Sequence, residues 1–383
     1  MRDFISDKIK SIKPSGIRKF FDIANTMENC ISLGVGEPDF DTPWHISEEG
    51  MYAIEKGKTF YTSNQGLLEL RKEICNWNKK KYNLNYKPEE VIVTCGGSEA
   101  IDIALRTCIN SGDEVIIAEP CYVSYEPCVE LAGGTVKKIC LKEKNQFKLT
   151  AEELNNAITS KSKILIINYP NNPTGAIMTR DDYEKIKNII IESDLLVITD
   201  EVYSELTYEC EHCSIGSLDG MKERTITING FSKSFSMTGW RLGYVMGPED
   251  IIKQMLKIHQ FTIMCSPTIS QYAGIEALKN GEKDIERMKK EYNKRRIYLV
   301  EEFKKIGLKC FEPKGAFYCF PSIRDFNEKS LDFATDLLEK EKLVVIPGTA
   351  FGECGEGFIR ISYAYSLENL KLAIHRLKKY LNL

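Results

Sequence analysis

Along the middle of this chain, short apolar runs alternate with longer segments of helical period. Val91-Ile92-Val93-Thr94 leads into Cys95-Gly96-Gly97-Ser98-Glu99-Ala100, and then into a helix with apolar positions at Ile101, Leu105 and Ile109. Glu114-Val115-Ile116-Ile117-Ala118 leads into Glu119-Pro120-Cys121-Tyr122, and Lys163-Ile164-Leu165-Ile166-Ile167 into Asn168-Tyr169-Pro170-Asn171-Asn172-Pro173-Thr174-Gly175. Leu195-Leu196-Val197-Ile198-Thr199 leads into Asp200-Glu201-Val202-Tyr203, and Thr225-Ile226-Thr227-Ile228 into Asn229-Gly230-Phe231-Ser232-Lys233. Continuous apolar runs of four or five residues bounded by turn residues read as strands buried on both faces. Their alternation with helices predicts an α/β domain with a mostly parallel sheet. In such sheets ligands sit beyond the carboxyl ends of the strands, where all of these polar turns fall.

The flanks follow a different pattern. Residues 1 to about 30 read as an arm with a short amphipathic helix, Ile17 to Ala24. Then comes Gly34-Val35-Gly36-Glu37-Pro38, whose two glycines suggest backbone passing close to a ligand or a plain loop. Leu67, Leu70, Ile74 and Trp77 mark a helix closed by Lys79-Lys80-Lys81, where cations suit the dipole. Past residue 280 a charged helix, Asp284 to Lys305, precedes strand-like pieces at Gly315–Phe320, Leu343–Pro347 and Gly357–Tyr363 and an amphipathic terminal helix. This predicts a smaller α+β domain. The expected division is 1–44 as arm and part of the small domain, 45–283 as the large domain, and 284–383 as the small domain.

Composition narrows the function classes. The 383 residues suffice for two domains, and 43% hydrophobic with 28% charged residues is ordinary for a globular protein. A net charge of −3 gives no reason to invoke nucleic acid or an anionic membrane. No apolar run reaches membrane length and the opening residues lack a signal-peptide core, so the expectation is cytosol. Thirteen cysteines, scattered without a repeating interval, are expected to be reduced thiols. Cys210 and Cys213 enclose His212, but no second pair follows as a zinc knuckle would require, and no metal is expected.

The strand ends carry the chemistry. Lys233 at a strand exit is wrapped in small hydroxyl residues, Ser232, Ser234 and Ser236, with Arg241 eight residues on. Lysine forms Schiff bases with carbonyl cofactors once deprotonated, and hydroxyls with an arginine hold anions. The bland alternative is a solvated lysine. Gly96-Gly97-Ser98 between strand and helix suits a phosphate, although glycines also serve packing there. Asp200 directly after an apolar strand needs a partner, either a protonated ring nitrogen or, as an N-cap, the backbone of a following helix on whose face Tyr203 would also lie. Prolines bracketing Asn171-Asn172 make a rigid turn able to hold Asn172 as a fixed donor. Tyr122 offers a flat aromatic face, and Arg360, flanked by isoleucines, either points to solvent or clamps a carboxylate bidentately.

Taken in order, Asn172-Pro173-Thr174-Gly175, Asp200-x-x-Tyr203 and Ser232-Lys233-x-x-x-x-Thr238-Gly239-Trp240-Arg241 resemble the class I/II aminotransferases, the pyridoxal-5′-phosphate (PLP) enzymes of fold type I. The resemblance spans Ser15-Gly16-Ile17-Arg18 to Arg360, within the subgroup of aspartate/aromatic and N-acetyl-diaminopimelate aminotransferases. It implies a seven-stranded, mostly parallel sheet in the large domain and a homodimer. Lys233 would hold PLP as the internal aldimine and act as the base. Asp200 would keep the ring nitrogen protonated, and Asn172 and Tyr203 would bond the phenolic oxygen while Tyr122 stacks on the ring. Gly97, Ser98, Ser232 and Arg241 would bind the phosphate, with Tyr61 arriving from the neighbouring subunit, and Glu99 would be a further cofactor-binding residue. Arg360 would clamp the substrate carboxylate, helped by the backbone of Gly36, and Ile17 would either wall the pocket or pack in the core.

One departure bears on substrate. Aspartate-preferring members often carry lysine where this chain has Ser98, and Phe261 to Pro267 supplies no cation either. The expectation is therefore an L-amino donor that is aromatic, neutral or long in preference to aspartate, with a 2-oxo acid such as 2-oxoglutarate as acceptor. Alternatives are a carbon–sulfur β-lyase on the same fold and a non-enzymatic PLP-binding regulator.

Overall fold

The computed structural model describes residues 2–12, 14, 27, 29–326 and 328–382. The expected helix at Ile17 to Ala24 lies outside the described residues. The central element is a seven-stranded sheet built from β2 (Val91–Thr94), β3 (Glu114–Glu119), β4 (Thr135–Cys140), β5 (Ser162–Asn168), β6 (Leu196–Asp200), β7 (Thr225–Gly230) and β8 (Gly243–Met246). Their spatial order is β2-β8-β7-β6-β5-β3-β4. β8 runs antiparallel to both its neighbours, and every other pairing is parallel. Apart from Leu196 at the start of β6, the apolar residues of β2, β5, β6 and β7 are almost fully enclosed, as a parallel sheet covered on both faces requires.

Two small sheets stand beside it. β1 (Ile31–Ser32) pairs in parallel with β10 (Leu343–Val344), tying the early chain to the C-terminal part. β11 (Ile346–Pro347), β12 (Ile359–Ser362) and β9 (Tyr318–Cys319) form an antiparallel sheet with β12 in the centre. No gap in packing separates large and small parts. A single apolar cluster contains Ile116, Leu165 and Val197 of the large sheet together with Phe317, Val344 and Ile359. Helix Glu282–Lys305 begins just before the boundary expected at 283/284 and presents Met288, Tyr292, Leu299 and Phe303 to that cluster. Among the described residues, no helix is long and apolar enough to cross a membrane.

Cysteine chemistry corrects the sequence reading at one pair. The expectation of reduced thiols fails for Cys140 and Cys354, which form a disulfide with Cα atoms 5.4 Å apart. The end of β4 lies against the turn Glu353–Gly355, 214 residues away in sequence, so nothing in the spacing announces the pair. His212, between Cys210 and Cys213, turns inward and meets the buried Glu201 carboxylate at 2.9 Å. No group of three or more His, Cys, Asp or Glu among the described residues is arranged to hold a metal.

Candidate active site

The carboxyl ends of the large sheet open into a cavity of about 320 Å³. Its lining includes Gly97, Ser98, Tyr122, Asn172, Asp200, Tyr203, Ser232, Lys233 and Arg241 from the large part, and Gly36, Tyr318 and Arg360 from the other side. Residues up to 324 positions apart in sequence thus share one site.

Lys233 sits in the short helix Phe231–Ser234 directly after β7. Its amine donates to the Gly36 carbonyl at 2.6 Å. Burial pushes its pKa down to about 8, with Arg360 and Arg241 adding to the shift while Glu37 opposes it. A lysine so placed is readily deprotonated, which a Schiff-base amine requires and a solvated lysine does not offer.

Asp200 ends β6 with its carboxylate enclosed. Burial pushes it up to about 6, against the pull of a 2.6 Å hydrogen bond from the Tyr125 hydroxyl. Its other oxygen accepts from the Val202 N–H at 3.3 Å. No α-helix follows for it to cap: the chain turns through residues 201–203 into the 3-10 turn Ser204–Leu206, and that turn brings Tyr203 into the cavity. The alternative of an N-cap with Tyr203 on the same helical face is therefore set aside. Tyr125 was missed from sequence, because nothing local marks a residue whose role depends on reaching a strand end 75 positions later.

The anion end is built by close backbone approach. Gly96 has φ +77°, and a Cβ there would lie 2.7 Å from the Arg241 guanidinium; one at Gly243 would lie 2.6 Å from the Gly96 carbonyl carbon. Only glycine lets helix Gly96–Cys108 begin this close to β8. Arg241, itself at φ +52°, is held by its bond to the Thr238 carbonyl at 2.9 Å. The helix N-terminus, Ser98, Ser232 and Arg241 together make this end of the cavity one that suits an anion. The Glu99 side chain is turned away from them. Its carboxylate accepts from the Cys95 N–H and pairs with buried His259, both at 2.5 Å, so it caps the helix from outside the cavity.

Arg360 lies in the central strand β12 and points inward, only 3% exposed. It donates to Asn172 Oδ1 at 2.9 Å and to the Gly34 carbonyl, and is packed between the Tyr318 and Phe351 rings at 4.4 and 4.7 Å. The Gly34 carbonyl thus supports Arg360, while Gly36, expected to help hold the substrate carboxylate through its backbone, lines the cavity and accepts from Lys233 at its carbonyl. Its Nε is buried without a hydrogen-bond partner among the described residues, a donor suited to a carboxylate. Asn172 is itself fixed, its N–H bonded to Asn168 Oδ1 at 2.9 Å. Tyr61 is 80% exposed and absent from the lining, and Ile17 lies outside the described residues.

These groups fit a phosphorylated pyridine aldehyde: an anion cradle at one end, a buried carboxylate for a ring nitrogen, and an amine of lowered pKa for the carbonyl. The family "aminotransferase class I and II" matches residues 28–377. An aspartate aminotransferase of Pyrococcus abyssi is 46% identical and an aromatic-amino-acid aminotransferase of Thermococcus litoralis 44%, each over 98% of both chains. Among solved structures, an aromatic aminotransferase from Pyrococcus horikoshii superposes with a TM-score of 0.91 at 44% identity, covering 96% of this chain and 99% of the other.

Proposed function

Because this chain belongs to the class I and II aminotransferases and is a PLP-dependent transaminase, we propose that it moves the amino group of an aromatic, neutral or long-chain L-amino acid, in preference to aspartate, to a 2-oxo acid such as 2-oxoglutarate. The carrying observation is the set of cations. Among the described residues lining the cavity these are Lys233, Arg241 and Arg360. All three are committed, Lys233 to the cofactor carbonyl, Arg241 to the phosphate and Arg360 to the substrate α-carboxylate. Among the described lining residues the side-chain carboxylate of aspartate would meet none, and an unpaired anion in such a site is costly; the longer chain of 2-oxoglutarate can carry its second carboxylate out toward solvent.

The cofactor, when bound, supplies an electron sink for the substrate Cα. The chain's own residues do the rest. Lys233 carries the proton at Nζ, and its lowered pKa keeps that proton exchangeable near neutrality. Asp200, oriented by Tyr125, would hold a proton on the ring nitrogen. Asn172 and Tyr203 would hold the ring oxygen, and Asn172 also anchors Arg360, which would link the cofactor and substrate ends of the site. Tyr122 would pack against the ring.

A homodimer completes this reading. Phe60, Tyr61 and Phe261 are 81%, 80% and 84% exposed, an apolar face of the kind that marks an interface. The loop bearing Phe60 and Tyr61 is tied to the segment that follows the helix end at Phe261, by Thr268 Oγ1 donating to the Phe60 carbonyl at 2.8 Å and Asn64 Nδ2 to the Met264 carbonyl at 2.7 Å. Tyr61 would reach the phosphate of the second copy.

Rapid mixing of holoenzyme with phenylalanine, alanine, aspartate or cystathionine separates the possibilities. Conversion of the cofactor to its amine form with phenylalanine at least about tenfold faster than with aspartate is expected. Equal or faster reaction with aspartate overturns the donor preference. Pyruvate and ammonia from cystathionine without conversion would favour the β-lyase.

A further inference from the structure

Tyr318 is unclaimed by the chemistry above, yet it touches three working parts of the site. Its hydroxyl is 2.7 Å from that of Tyr203, and both residues are fully enclosed. The face of its ring lies 4.4 Å from the Arg360 guanidinium. The same hydroxyl rests against Gly36, where a Cβ would come within 2.3 Å of it; Gly36 is the residue whose carbonyl receives Lys233. The register explains this position. Tyr318 of β9 is paired with Ser362 of β12, and Arg360 is two residues from Ser362, so Tyr318 and Arg360 are diagonal neighbours on one face of the small sheet.

We propose that Tyr318 is a positioning residue with two separable parts: its hydroxyl donates to Tyr203 and so commits the single Tyr203 proton to the cofactor ring oxygen, while its ring braces Arg360 for the substrate carboxylate. The inference rests on the placement of Tyr203 at the ring oxygen proposed above. A phenol has one proton to donate and lone pairs to accept. If Tyr203 gave its proton to Tyr318, it could present only lone pairs to an ionised ring oxygen, and the two would repel. The donor direction is therefore set when the cofactor is in place. A donor that itself accepts a hydrogen bond is a better donor, so the Tyr318 hydroxyl strengthens the Tyr203 bond. That bond draws electron density from the ring oxygen, which eases loss of the proton from the Lys233 nitrogen once it is joined to the cofactor.

The two parts predict different measurements on holoenzyme. The first is the pH midpoint of the absorbance change of the bound cofactor. Tyr318→Phe removes the hydroxyl alone and is expected to raise the midpoint by about half to one pH unit, leaving the KM for the amino donor within about twofold. Tyr318→Leu removes the ring as well and is expected to raise that KM about five- to tenfold in addition. In a Tyr203→Phe background, adding Tyr318→Phe is expected to move the midpoint no further, because its target is gone. If wild type shows the absorbance change, Tyr203→Phe raises its midpoint and Tyr318→Phe leaves it in place, the Tyr318 proposal is overturned while the site reading stands. If Tyr203→Phe also leaves the midpoint unmoved, the placement of Tyr203 at the ring oxygen fails first. A KM that rises as much in Tyr318→Phe as in Tyr318→Leu would refute the division of labour between hydroxyl and ring.

Discussion

The two sides of the cavity are built in different ways. The floor, with Gly97, Ser98, Tyr122, Asp200, Ser232, Lys233 and Arg241, comes from successive strand ends or the start of β8 in one sheet. The roof, with Gly36, Tyr318 and Arg360, comes from the segment after β1 and from two strands of the small sheet. On the floor, each functional residue except Arg241, which precedes β8, stands at the end of an apolar run or a few positions after it, and the run fixes its depth. On the roof, position depends on pairings between distant segments, such as Tyr318 with Ser362 and Ile31 with Leu343. The floor is a property of local sequence and the roof one of tertiary register. The floor is suited to hold a cofactor and the roof to select what reacts with it.

Substitutions sharpen that contrast. The largest effect is expected at Lys233: Lys233→Ala should lower transamination by about 10⁴- to 10⁶-fold while leaving the protein folded, measured by steady-state rates and circular dichroism. Asp200→Asn, also on the floor, should cost about 10²- to 10³-fold in kcat, because the ring nitrogen loses its buried anionic partner. Arg360→Leu is the corresponding loss on the roof. It should lower kcat/KM for the amino donor by about 10²- to 10³-fold while cofactor affinity, measured by fluorescence titration, changes little. A large loss of cofactor affinity in Arg360→Leu would break the division between the two sides. The smallest effect is expected for Tyr125→Phe, about fivefold in cofactor affinity. Without that donor Asp200 is protonated more easily and faces the ring nitrogen less often as an anion.

The pH dependence tests the floor independently. The Lys233 amine is held at about 8, below the ordinary lysine value, so its reactive, uncharged fraction grows as pH rises toward 8 and levels off above it. Uptake of PLP by the cofactor-free protein should therefore accelerate about tenfold per pH unit from about 6 to 7.5 and flatten beyond about 8. Continued acceleration to about pH 10 would mean that Lys233 is not desolvated as described.

The same contrast explains what the sequence conveyed. The parallel sheet was legible because β2, β3, β5, β6 and β7 are continuous apolar runs ending in polar turns, and Lys233, Asp200 and Asn172 could be found by their offset from those runs. β8 was harder, since Gly243-Tyr244-Val245-Met246 is short and follows the functional loop without a break. Tyr125, Tyr318 and the Cys140–Cys354 bond were not legible, because each depends on a partner 75 to 214 positions away. The resemblance placed Glu99 at the cofactor; its carboxylate is drawn to the Cys95 N–H at the helix start and to buried His259, which no local pattern announces.

The central claim is that the floor holds the cofactor through Lys233. Borohydride reduction of the yellow holoenzyme, followed by peptide mass mapping, tests it directly. The expected result is one modified peptide with the pyridoxyl group on Lys233, and its loss when the protein is first treated with an amino donor. Modification at any other lysine, or none at all, would contradict it.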